Sequence, residues 1–193
     1  MTSFLTTCMS DKEISLLNIC LRECQNHYFE WGCGGTTARA SLYTNICDIT
    51  SVDSSQQWIN KVSSNPIVKN KQVNYIYIDI NADDNNWGKP KNKSKISEWP
   101  KYSQAVNLNN QKYDLILIDG RFRVACALQA LNHLTDSGVV LIHDYINRPH
   151  YHCIEEFYNR VAGVDSLAVL KKKPSYDQTR VASLLKKYEL VYD

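Results

Sequence analysis

The sequence predicts an α/β domain whose sheet is mostly parallel and covered by helices on both faces. Three observations carry this. Short strand candidates alternate with amphipathic helix candidates along most of the chain. The strand candidates LILI (115–118) and VVLI (139–142) are apolar without alternation, as strands buried on both faces must be. The length of 193 residues suits one domain of about 100–200 residues, so the whole chain, 1–193, is expected to form one unit, with 1–25 a helical extension and 174–193 a final helix and tail.

The elements follow in order. Residues 11–24 place Ile14, Leu17 and Leu21 on one helical face behind a capping Ser10 or Asp11. His27–Trp31 is the first strand, ending in a Gly-Cys-Gly-Gly turn, and a helix follows at Thr36–Tyr43. Ile46–Val52 is a second strand, Ser54–Ser63 a helix and Val73–Ile80 a third strand. Residues 81–98 are polar and loop-like; long loops in compact domains are mostly functional or mobile. A short helix is expected at Pro100–Val106, a fourth strand at Tyr113–Ile118, and a strongly amphipathic helix at Arg121–Leu134. Gly138–Ile142 is a fifth strand. Residues 151–160 are expected to be helical, Asp165–Leu170 a sixth strand and Gln178–Tyr188 a last helix; Leu190–Tyr192 is a further strand candidate. Lys171–Lys173 suggest a solvated edge that blocks strand pairing.

Composition excludes several classes. A net charge of +2 and a pI near 8.1 argue against a dedicated nucleic-acid binder, whose pI usually exceeds about 9. The longest apolar runs fall far short of the ~20 residues that span a bilayer, so no membrane partner is expected. The opening MTSFLTTCMSDKE has no cationic start followed by an apolar stretch, so no secretory signal is expected. Seven cysteines with no CxxC pair fit reduced thiols and a cytoplasmic location.

Ligands of such sheets bind beyond the carboxyl ends of the strands, and the residues there carry the chemistry. Gly32, Gly34 and Gly35 allow a sharp turn and a close ligand approach, or only a tight strand-to-helix turn. The turn lacks both the GxGxxG spacing of a dinucleotide site and the Gly-Lys-Ser/Thr of a P-loop. Asp53 stands 21 residues past Gly32, where an acid can hold both hydroxyls of a ribose or else cap the next helix. Asp79 ends the third strand, to meet an adenine amino group or to start a loop. Asp119 and Asp144 end neighbouring strands, so both carboxylates can face one pocket, as a general base or as a Mg²⁺ site. His143 and His152 are further candidates there. Arg121 and Arg123 open a helix whose dipole disfavours cations, which suggests a partner: an acidic substrate group, Asp119 or Asp144. Trp87 and Trp99 are an aromatic wall or loop anchors.

Glu30, the glycines and Asp53 together resemble the class I S-adenosylmethionine-dependent methyltransferase pattern. The strings WGKP, WPKYSQAV, DLILIDGRFRVACALQAL and IHDYINRPHYHCIEEF sharpen this. They resemble a small group of class I methyltransferase-like proteins of poorly defined substrate, marked by IDGRFRVA and a DDYxxRPxYH element. The resemblance covers roughly residues 27–171. Cys33 replaces a common Ser, His143 stands where the group has Asp, and the tail after Lys173 has no counterpart.

The resemblance implies a Rossmann-like class I methyltransferase fold with strand order 3-2-1-4-5. It implies S-adenosylmethionine held by Glu30, Gly32, Gly34, Gly35, Asp53 and Asp79, with Glu30 touching the amino-acid moiety directly or through water. Asp119, Asp144, His143 and Arg121 would serve the acceptor, a small-molecule or glycan hydroxyl, with Mg²⁺ on Asp119 and Asp144. A methyltransferase-shaped binding protein without turnover and a nucleotide-sugar or NAD enzyme are the rival expectations.

Overall fold

The structure, a computed structural model, describes residues 5–193. Seven strands form one sheet: β1 His27–Trp31, β2 Asp48–Asp53, β3 Val73–Tyr77, β4 Tyr113–Ile118, β5 Leu134–Ile142, β6 Tyr158–Val164 and β7 Leu167–Lys172. Their order is 3-2-1-4-5-7-6. β1 to β5 run parallel, and β7 is antiparallel to both β5 and β6.

Both faces are covered, which is why the central strands are apolar on each side. Phe29, Trp31, Ile116, Ile118, Val140 and Ile142 pack on one face with helices α5 (Trp99–Gln104), α6 (Arg123–Ala130) and α7 (Gln178–Tyr188). Tyr28, Leu115, Leu117 and Leu141 pack on the other against α1 (Asp11–Glu23). Next to it, α2 (Gly35–Ala40), α3 (Gln56–Ser63) and α4 (Pro66–Lys69) enclose a smaller cluster around Cys33, Ile59 and Val62. Ser10 and Glu13 close a reciprocal capping box at the start of α1. Asn65 and Pro66 open α4, and Asp177 caps α7 by accepting from Thr179 N.

Three expectations are corrected at the end of the chain. Residues 151–160 are not one helix: a 3₁₀ segment ends at Glu156 and β6 begins at Tyr158, so a β6–β7 hairpin closes the sheet where a helix was expected. After Tyr158 this edge strand is mostly exposed and carries an irregularity at Arg160–Ala162, so it shows no apolar alternation. Lys171 and Lys172 therefore lie in β7, between two partners, rather than on the edge, and Leu190–Tyr192 forms no strand. No helix among the described residues is long and apolar enough to cross a membrane.

Candidate active site

The turn after β1 is built from beneath by Glu30. Its side chain is fully buried, and four hydroxyls donate to it: Tyr28 Oη and Thr36 Oγ1 at 2.8 Å to Oε2, and Ser51 Oγ at 2.8 Å and Thr37 Oγ1 to Oε1. Thr37 Oγ1 in turn accepts from Gly34 N at 2.9 Å. Burial pushes the Glu30 carboxyl up to about 7, against the hydroxyls that favour its ionised form. A carboxylate has roughly four acceptor positions, and all four are used. Glu30 thus shapes the turn from beneath, through Thr37.

Asp53, at the end of β2, is different. Oδ2 accepts from Cys33 N at 3.0 Å and Oδ1 from Ser55 N at 2.9 Å. The residue is half-buried, and the Cys33 thiol and Ser54 N also hydrogen-bond to its carboxylate. Burial pushes its carboxyl upward against these backbone hydrogen bonds. The turn and the acid are thus one unit, tied again by Gly32 N donating to Val52 O at 2.8 Å.

The three glycines have separate jobs. Gly32 has φ +96°, and a Cβ there would come within 3.0 Å of the Asp119–Gly120 backbone, so the turns after β1 and β4 cross without space for a side chain. Above Gly34 the nearest atoms belong to the Trp58 ring, 3.8 Å away, so the approach is open. Trp58 is held by donating to Cys33 O at 2.6 Å. Over Gly35 the chain itself lies close: a Cβ would meet Thr6 O at 2.7 Å and Leu5 O at 2.8 Å.

Asp79 is committed to the loop. It accepts from Asn81 N at 2.9 Å and pairs with Lys95, whose hydrogen bond holds its carboxyl below the ordinary range. Trp99 is buried against Phe122 and Tyr192, anchoring the polar segment, while Trp87 is exposed.

At the ends of β4 and β5 the two carboxylates do share a site, but a guanidinium stands between them. Arg123, almost fully buried, donates to Asp144 Oδ2 at 2.9 Å, to Asp119 Oδ1 at 3.4 Å, to Gly120 O at 3.0 Å and to His143 O. Arg148 donates to Asp144 Oδ2 at 3.1 Å. The expected Mg²⁺ site is corrected on this ground: Arg123 supplies the positive charge an ion would bring. No group of three His, Cys, Asp or Glu among the described residues could hold a metal. Asp144 adopts φ +58°, an uncommon backbone for a residue other than glycine.

His143 Nδ1 lies 2.9 Å from Asp119 Oδ1, and Nε2 lies 3.5 Å from Glu13 Oε2. Burial opposes its protonated form, but the Asp119 hydrogen bond and the Asp119 and Asp144 charges outweigh this and raise its pKa. Glu13 is buried too, and it accepts from Ser166 N at 2.9 Å and Ser166 Oγ at 2.6 Å. Burial is outweighed there by those hydrogen bonds, by Ser10 N and by His143, and the carboxyl falls to about 2. A helix outside the sheet thus supplies a counter-charge to the site, a contact across more than 100 residues that no local pattern signals. Of the two arginines for which an acidic substrate group, Asp119 or Asp144 was the expected partner, Arg123 meets both carboxylates, and Arg121 faces Asp193 at 3.8 Å.

Two hollows lie away from these residues. One, of about 270 Å³, sits at the amino ends of β2 to β4, lined by Gln72, Asn74, Asn109 and Gln111. It offers amides but no cation, and none of the strand-end carboxylates.

No protein-family model matches the sequence, and no curated protein does. Solved structures do. A methyltransferase-like protein from Silicibacter pomeroyi DSS-3 is 27% identical over 98% of both chains, with a TM-score of 0.84. A candidate caffeoyl-CoA O-methyltransferase from Staphylococcus aureus is 15% identical over 86% of both chains, with a TM-score of 0.60. The fold is that of the class I methyltransferases. A candidate methyltransferase solved with S-adenosylhomocysteine shares it at 11% identity and a TM-score of 0.53, covering 84% of this chain and 49% of its own.

Proposed function

We propose that this chain is an S-adenosylmethionine-dependent methyltransferase and that its acceptor atom is a hydroxyl of a small molecule or glycan. The observation that carries the reading is Asp53: a carboxylate at the end of β2, partly exposed and tied to the glycine turn, where an acid can meet a pair of ribose hydroxyls. Gly34 leaves room for the methionyl part, and Gly32 brings the β4 end alongside. The end-to-end likeness to a methyltransferase-like protein supports the same reading.

When bound, the cofactor supplies a methyl group already activated on a sulfonium. The chain must then orient the acceptor and take one proton. Asp119 is suited to the second task. Its Oδ1 is fixed by His143 and Arg123, while Oδ2 has no partner among the described residues. His143 is engaged at both nitrogens and orients Asp119 rather than acting as the base.

Calorimetry with S-adenosylhomocysteine tests the reading. Wild type should bind, and Asp53→Ala should lose at least tenfold in affinity. A wild type that binds none refutes it. A hydroxyl screen with labelled cofactor then tests the acceptor class, with Asp119→Asn expected to lower kcat about 100-fold or more at unchanged S-adenosylhomocysteine affinity.

A further inference from the structure

Three cations converge on one carboxylate beside this site. Lys89 Nζ lies 3.6 Å from Asp193 Oδ2, and Arg121 Nη1 and Arg148 Nη1 each lie 3.8 Å from Asp193 Oδ1. Charge-assisted hydrogen bonds run about 2.7–2.9 Å, so Asp193 supplies charge without making any. Arg121 is only 8% exposed, and its Nε is buried with no partner among the described residues. A buried guanidinium with an unfilled donor is unfavourable until an acceptor completes it. Burial and the adjacent Arg123 charge both press against its ionised form. An oxyanion seated among these groups would approach Nη1, the nitrogen of Arg121 that faces Asp193, closely enough for the hydrogen bond that Asp193 does not make.

The three cations come from separate elements that meet at the crevice. Arg121 follows Gly120, which crosses Gly32. Lys89 follows Gly88, where a Cβ would lie 3.4 Å from Ser54 Oγ, directly after Asp53. Arg148 donates to Asp144.

We propose that Lys89, Arg121 and Arg148 form an oxyanion receptor for an acceptor bearing a carboxylate or phosphate group, and that Asp193 is the occupant such an acceptor displaces. That the anion belongs to the acceptor rests on the methyl-transfer reading; the receptor itself does not. The methionyl carboxylate of the cofactor shares this chemistry and is the other source to be distinguished.

The test titrates inorganic phosphate, and separately S-adenosylhomocysteine, into wild type, Asp193→Asn, Lys89→Gln and Arg121→Gln by calorimetry. Asp193→Asn should tighten phosphate five- to tenfold by removing the competing charge. Lys89→Gln should weaken it at least threefold, and Arg121→Gln should abolish binding. S-adenosylhomocysteine affinity should stay within twofold in Asp193→Asn and Lys89→Gln. Equal phosphate affinity in wild type and Asp193→Asn overturns the receptor. A tenfold change in S-adenosylhomocysteine affinity in either of those variants places the cofactor's own carboxylate there and overturns the acceptor assignment. Should Arg121→Gln fail to fold, the two variants at more exposed positions decide alone. If phosphate follows the expected pattern but S-adenosylhomocysteine binds no form, the receptor stands and the methyl-transfer reading falls.

Discussion

Replacing Glu30 by glutamine should change the pH dependence of stability in a calculable way. The carboxyl titrates at about 7 in the folded chain, against 4.5 for an ordinary glutamate. A raised value means that the folded state binds the proton more tightly than the unfolded chain. Glu30 therefore favours folding most below pH 4.5, and this contribution is lost as pH rises towards 7. The loss is about 3 kcal/mol, at roughly 1.4 kcal/mol for each tenfold change in proton affinity. Glutamine keeps the shape and carries no titrating group, and the surrounding hydroxyls of Thr36, Thr37 and Ser51 can turn to serve its amide. Chemical denaturation of wild type and Glu30→Gln at pH 5, 6, 7 and 8 measures the effect, and the difference cancels every other titrating group. The variant should gain on wild type by about 2–3 kcal/mol between pH 5 and pH 8. A difference that is flat within about 0.5 kcal/mol, near the resolution of such measurements, would falsify the buried-carboxylate account of the turn.

Other consequences are open to measurement. Gly35→Ala should lower stability by about 1–3 kcal/mol, because its methyl group meets the backbone of Leu5 and Thr6, whereas Gly34→Ala should fold normally and weaken S-adenosylhomocysteine binding; thermal melts and calorimetry on the pair separate the two roles, and equal melts would contradict them. Glu13→Gln should destabilise by about 2 kcal/mol at pH 7. Because the folded carboxyl is depressed to about 2, that difference should hold above pH 4.5 and shrink as pH falls towards 2; a pH-independent difference in denaturation would count against it. EDTA should leave methyl transfer unchanged, since Arg123 takes the position between Asp119 and Asp144; activity lost to EDTA and restored by Mg²⁺ would reverse the assignment.

The sheet was readable from sequence wherever burial is two-sided. His27–Trp31 and Tyr113–Ile118 occupy their predicted bounds because apolar runs closed by glycine or Asp-Gly leave little alternative. Gln178–Tyr188 does so because Asp177 caps it and one face is apolar. β6 was illegible because an exposed edge strand needs no apolar pattern, and its residues continue a run that looks helical. In the site, the strand-end positions of Asp53, Asp119 and Asp144 followed from topology. What each carboxylate meets did not. Glu30 and Asp53 look alike as acids flanking a glycine turn, yet hydroxyls from β1, β2 and α2 enclose one completely, while the other, held by backbone amides, stays partly exposed. Arg123 at the start of a helix, where the dipole disfavours a cation, was the local hint that it has a carboxylate partner.

The bond from α1 to His143 bears on how this protein can be trimmed. Residues 11–23 look like an appendage that an engineer would cut away to obtain a minimal sheet and its helices. Their removal would strip His143 and Ser166 of Glu13 and take one carboxylate from beside the imidazole that holds Asp119. A shortened chain would also bare Tyr28, Leu115, Leu117 and Leu141, so that the sheet's cover and the orientation of Asp119 would be lost together at the first helix.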